Sequence, residues 1–182
     1  MPQTLVTTKL RVPRTRPNLV ARPRLHEALD GGEERKLTLV SAPAGFGKTT
    51  LLVEWLMERS GNERSVVWVS LDETDDDPVR FWTYVLTALQ RDVAGIGPAA
   101  LQALRTPGLE PVDLALPTLL NELAALDTEH VLVLDDFHLL RSAGVHESVE
   151  FLLAYLPPAL RVVIAARADP PLPLARLRAR AS

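Results

Sequence analysis

One short segment constrains this chain more than any other: Ser41-Ala42-Pro43-Ala44-Gly45-Phe46-Gly47-Lys48-Thr49-Thr50. It follows the apolar run Leu37-Thr38-Leu39-Val40 and precedes Leu51, Leu52, Trp55, Leu56 and Arg59 at helical spacing, with Gly61-Asn62 as the expected C-cap pair. A phosphate-binding loop needs glycine-like freedom and then Gly-Lys-Ser/Thr, because successive backbone N–H groups must turn inward around an anion. Gly45, Gly47, Lys48 and Thr49 meet that requirement, while Ala42 stands where the consensus has its first glycine. Residues 42–50 are therefore expected to cradle the phosphates of ATP or ADP. Lys48 would sit against the β- and γ-phosphates, Thr49 would offer its hydroxyl to Mg²⁺, and the helix N-terminus would add its dipole.

The rest of the chain repeats the same alternation. Val66-Val67-Trp68-Val69 is β-branched and aromatic, as a buried strand should be. Asp77-Pro78 supplies a cap and an N1 proline, and Phe81, Val85, Leu86 and Leu89 then mark one helix face. Glycines and prolines between 94 and 117 leave room for a short helix around 99–105, and a further helix is expected over 116–126. A third strand, Val131-Leu132-Val133-Leu134, a helix over about 145–155 stopped by Pro157-Pro158, and a fourth strand at 162–166 complete the pattern. Continuous apolar strands separated by helices predict an α/β fold, a P-loop NTPase with a parallel sheet flanked by helices.

Two further groups belong at the carboxyl edge of such a sheet, where open α/β folds bind ligands. Asp135-Asp136 closes the third strand: Asp135 would orient Mg²⁺, through water, and Asp136 would polarise the attacking water in hydrolysis. Taken alone, the pair also suits a turn cap. Arg167 directly follows the fourth strand, and its guanidinium suits a γ-phosphate, although it also begins a basic tail. Lys48, Asp136 and Arg167 are thus the candidate catalytic set.

Composition narrows the remaining classes. A chain of 182 residues, 47% hydrophobic and 24% charged, is expected to form one ordinary globular domain. It has no cysteine, which excludes disulfides and thiolate metal sites, and no apolar stretch near the roughly 18 residues of a membrane span. A cytoplasmic protein with no membrane partner is expected. The net charge of −3 gives no global reason to bind nucleic acid, but the stretch before Glu27 is all basic, with Lys9, Arg11, Arg14, Arg16, Arg22 and Arg24. Its prolines argue for an extended arm. His26, His130, His138 and His146 lack zinc-site spacing, Asp72, Glu73, Asp75, Asp76 and Asp77 suit a helix start, and Trp55, Trp68, Phe81 and Trp82 suit a core.

An ordered set of short motifs then accumulates: Thr8-Lys9-Leu10-Arg11-Val12-Pro13, Arg22-Pro23-Arg24-Leu25, the phosphate loop, Trp68-Val69-Ser70-Leu71-Asp72, Leu134-Asp135-Asp136-Phe137-His138, and Arg167-Ala168-Asp169-Pro170-Pro171-Leu172-Pro173-Leu174. Together they resemble the start of MalT-type LuxR-family transcription activators, which carry an N-terminal STAND ATPase module. The resemblance implies a slowly hydrolysing switch that rests with ADP and, with ATP and a small-molecule or protein inducer, self-associates and activates promoters. It implies that residues 1–34 form an arm contributing Val20-Ala21-Arg22 to the adenine pocket, that 35–168 form the core, and that Arg167 senses the γ-phosphate. Residues 169–182 would be a truncated tail. The family's winged-helix, sensor and DNA-reading helix-turn-helix regions, and a fifth strand beside 37–40, would lie beyond Ser182, so inducer and DNA would be reached only through regions absent here. Two alternatives remain at this point: a small P-loop kinase, and a nucleotide-binding interaction domain without turnover.

Overall fold

The structure, a computed structural model, describes residues 5–14, 22–31, 35–58, 65–106 and 111–175. Four strands, β1 (Leu37–Ser41), β2 (Ser65–Ser70), β3 (His130–Asp135) and β4 (Leu160–Ala166), form one sheet in the order β1-β4-β3-β2 with every pairing parallel. All residues of β3 and β4 are buried, as central strands covered on both faces must be. Parallel pairing requires long crossovers; among the described residues α1 (Pro23–Asp30) precedes the sheet, and the crossovers are made by α2 (Lys48–Glu58), α3 (Pro78–Asp92), α4 (Pro98–Leu104), α5 (Pro111–Ala124) and α6 (Ala143–Tyr155).

Side chains alternate across the sheet and so divide the core into two layers. Val67 and Val69 of β2 face the larger cluster, with Phe81, Trp82 and Leu86 of α3, Leu119 and Leu123 of α5, and Val149 and Leu152 of α6. Trp68, between them, faces the smaller cluster, with Leu29 of α1, Leu51, Leu52 and Trp55 of α2, and Val131, Val133 and Val163. The phosphate loop thus leads into a helix anchored in the smaller cluster by Leu51, Leu52, Val53, Trp55 and Leu56. β1 has a neighbour on one side only among the described residues.

Two elements differ from their sequence expectation. The basic arm is not simply extended: Thr7–Leu10 makes a 3₁₀ turn beside β2, and Pro23–Asp30 is helical. Pro23 occupies the first helical position, where its fixed φ is preorganised and its missing N–H is not needed, so it starts a helix rather than preventing one. His26 and Leu29 then bury against α2, where the Trp55 indole donates to Asp30 at 2.7 Å. Likewise α5 begins at Pro111, not near 116, and runs through Pro117. An interior proline costs about 3 kcal/mol. Burial of Leu116, Leu119 and Leu123, at about 1.5–3 kcal/mol each, outweighs it, and Pro117 itself is exposed. Arg59 and the Gly61-Asn62 cap lie outside the described residues, as do Val20, Ala21 and the chain after 175.

Candidate phosphate and metal site

The site stands at the carboxyl edge of the sheet, where β1 breaks into the loop. Gly45 and Gly47 have φ of 80° and 72°, a region that side chains with a Cβ enter at a cost. These two turns bring the backbone from strand to helix in six residues, and α2 starts at Lys48, so the N–H groups of its first turn have no intrahelical acceptor. Lys48 is buried, and its ammonium donates to the carbonyls of Ala42 at 2.7 Å and Pro43 at 3.1 Å. A buried cation held by two neutral carbonyls, with no carboxylate among its hydrogen-bond partners, is arranged to accept an anion. Pro43, Ala44 and Phe46 are exposed on the loop, and Thr50 lies in the first turn of α2.

Thr49 and Asp135 come together from positions far apart in sequence. The Thr49 hydroxyl donates to Asp135 Oδ2 at 2.8 Å, and the Asp136 N–H donates to Oδ1 at 3.0 Å. Burial pushes the Asp135 carboxyl above the usual range and the charge of Asp136 adds to that, while the Thr49 hydrogen bond and Lys48 oppose it. One hydroxyl and one carboxylate beside a loop for phosphates is the donor set that Mg²⁺ takes when phosphate oxygens and water complete its octahedron. The residues present fit that ion.

Asp136 adopts the left-handed conformation, φ 58° and ψ 33°, the single non-glycine residue with positive φ among those described. Asp tolerates this region better than most residues, and its carboxylate is half-exposed where that of Asp135 is buried. Two residues on, His138 places Nδ1 3.9 Å from Asp136 Oδ1, and neither of its buried ring nitrogens has a hydrogen-bond partner among the described residues. Burial pushes the imidazole below its ordinary range; Asp136 works against this, and Arg167 and Lys48 reinforce it. Lys48, Asp136, His138 and Arg167 therefore share one electrostatic neighbourhood, with Arg167 exposed just past β4. The one signal for His138 in the sequence is its place two residues after Asp136 in Asp-Asp-Phe-His.

Arg22 reaches the loop from the start of α1. Its Nη1 donates to the Phe46 carbonyl at 2.8 Å, and its guanidinium lies 3.3 Å from where a Cβ on Gly47 would stand. It thus touches the loop at Phe46 and Gly47. Among the described residues no helix is long and apolar enough to cross a membrane.

Residues 22–164 match the AAA ATPase domain family. The chain is 35% identical over 176 residues to the HTH-type transcriptional regulator MalT of Yersinia enterocolitica and 33% identical over 175 residues to that of Vibrio cholerae. These alignments cover 97% and 96% of this chain but 19% of each relative, so the chain spans about a fifth of their length. The crystal structure of Cdc6p from Pyrobaculum aerophilum shares the fold with a TM-score of 0.62 at 17% identity, over 96% of this chain and 47% of that one.

Proposed function

Because the chain belongs to the AAA ATPase domain family, we propose that it is the nucleotide-binding module of a MalT-type transcription regulator and acts as a slow ATP-dependent switch in the cytoplasm. The observation that carries this reading is the Thr49–Asp135 hydrogen bond beside the buried ammonium of Lys48, which joins the phosphate loop to the end of β3. Residues 42–50 hold the phosphates through backbone N–H groups, and Lys48 exchanges its two carbonyl partners for β- and γ-phosphate oxygens. Thr49 and Asp135 would hold Mg²⁺, which when bound would supply positive charge to offset that of the phosphates. Asp136 accepts a proton from the attacking water as it adds to the γ-phosphorus and ADP departs.

His138 shares the electrostatic neighbourhood of Lys48 and Arg167, which supports a role for His138 and Arg167 in sensing the γ-phosphate. Arg22 fixes the loop through Phe46 and, with Val20, borders the nucleotide. Self-association in the ATP state, and contact with an inducer and DNA through other regions of a longer regulator, complete the proposal. Single-turnover hydrolysis tests it: the Asp136→Asn variant should bind ATP with Mg²⁺ as the parent does but turn over about 10²- to 10⁴-fold more slowly. Equal turnover in both would remove Asp136 from the mechanism.

A further inference from the structure

The acidic run after β2 reads in the sequence as helix-start chemistry, and most of its carboxylates are used that way. Asp72 accepts from the Thr74 N–H at 2.9 Å and closes a capping box with Asp75 around the 3₁₀ turn Glu73–Asp75. Asp75, fully buried, holds Lys9 and Arg80, and Asp77 caps α3 by accepting from the Arg80 N–H at 2.8 Å. Asp76 reaches a different element. Its Oδ1 accepts from the backbone N–H of both Arg141 and Ser142, each at 2.7 Å, across 65 and 66 positions of sequence. Those two N–H groups stand just before α6, at the far end of the connection that begins at Asp135 and carries Asp136, Phe137 and His138. The near end is tied to the same region, because the Leu71 N–H donates to the Asp135 carbonyl at 3.0 Å. Between these ties Phe137 is fully buried, its ring 6.4 Å from that of Phe81 in α3.

We propose that Asp76 is a positioning residue for hydrolysis: by holding the Arg141 and Ser142 N–H groups it fixes the loop from which Asp136 and His138 act. The need for such a tie follows from the backbone. Asp136 has a φ of 58°, a conformation that a residue with a Cβ keeps only where its surroundings over-determine it. Phe137 packing and the Leu71 bond restrain the loop at its middle and its start, and Asp76 restrains its end. Removing the Asp76 carboxylate leaves two backbone donors without their acceptor and frees that end to relax toward water. Asp76 thus acts through the backbone, not by contact with the reacting atoms. One oxygen takes both bonds, so the charge itself is dispensable: the amide oxygen of Asn can accept the same two N–H groups, and Ala cannot. The inference deepens the reading of the site as a slow ATPase and rests on it.

Single-turnover hydrolysis of ATP with Mg²⁺ by the 182-residue chain, read beside ATP affinity from calorimetry, tests it in Asp76→Ala and Asp76→Asn. Asp76→Ala should keep the Kd for ATP within about threefold and lower the rate about 10- to 100-fold, the order expected when a catalytic group is misplaced by about 1 Å. Asp76→Asn should return the rate to within about threefold of the parent. Amide hydrogen exchange without nucleotide should quicken at Arg141 and Ser142 in Asp76→Ala and stay near parental in Asp76→Asn. Retained protection in β3 and the body of α6 shows that the Ala variant folds; if it does not, Asp76→Ser, whose hydroxyl is shorter, takes its place with the same expected outcome. Placed on Asp136→Asn, Asp76→Ala should slow turnover by a smaller factor than it does in the parent, since one of the groups it positions is already gone. An unchanged rate or unchanged exchange in Asp76→Ala, an Asn variant as slow as the Ala variant, or full multiplication of the Asp76 and Asp136 effects would each overturn the positioning role alone. A parent that does not bind ATP, or binds it without turnover, would instead overturn the ATPase reading and the role with it.

Discussion

At the residue scale, the site depends on a few atoms whose partners are set by the fold. Charge-assisted hydrogen bonds contribute about 1.5–3 kcal/mol each, so removing His138 or Lys48 has different consequences according to what each touches. His138 contacts no loop atom by hydrogen bond but faces Asp136 and Arg167; His138→Ala should therefore leave ATP affinity within about threefold and lower turnover by about tenfold or more, measured as single-turnover rates. An unchanged rate would make His138 a packing residue. Gly47→Ala should weaken nucleotide binding through a strained φ and through displacement of Arg22, both of which titration calorimetry reads as a raised Kd. Lys48, Thr49 and Asp135 were legible in the sequence because each lies in a short motif whose chemistry is local. The contact of Arg22 with Phe46 and the surroundings of His138 were not, since both arise from elements brought together only by packing.

At the element scale, the strands were legible because continuous apolar runs have few other solutions, whereas α1 and the start of α5 were hidden by prolines. Pro23 and Pro111 occupy first-turn positions, where proline is tolerated, whereas Pro117 lies inside α5 and its cost is offset by the burial of Leu116, Leu119 and Leu123. The 3₁₀ turn at Thr7–Leu10 is held by Lys9, whose ammonium bonds Asp72 at 2.7 Å and Asp75 at 2.5 Å and lies 4.8 Å from the centre of the Tyr84 ring. Burial pushes the Asp72 carboxyl up, but hydrogen bonds from Lys9 and Thr74 outweigh it and hold the group at about 2, against 3.8 for the free side chain. For Lys9, burial lowers and the hydrogen bonds with Asp72 and Asp75 raise, with a net rise above 10.5. A depressed carboxyl stabilises fully above its unfolded value and loses this as pH falls through the folded one; a raised amine stabilises fully below its unfolded value. The clasp should hold between about pH 4 and 10. Hydrogen exchange at Val6 and Lys9, corrected for intrinsic rates, should show constant protection from pH 5 to 9, and Lys9→Met should abolish it. Protection unchanged in Lys9→Met would mean that Leu10 burial alone holds the turn.

At the scale of the whole molecule, segments outside the family match still belong to the fold. Leu10 and Leu172 are buried in the larger cluster, although the match runs from 22 to 164. Leu10→Ala should cost about 2–5 kcal/mol of unfolding free energy by denaturant titration. A cost below about 0.5 kcal/mol would show the arm to be dispensable. The layered architecture explains why the site forms at all: β1 and β3 do not touch, but β4 between them sets the loop and Asp135 at one edge.

The central claim is that residues 42–50 with Lys48 hold nucleotide phosphates. Isothermal titration of ATP with Mg²⁺ into the folded chain and into Lys48→Ala tests it most directly. Saturable one-to-one binding by the parent, weakened by about tenfold or more in the variant, is the predicted result. No binding by the folded parent, or equal affinity in both proteins, would contradict it.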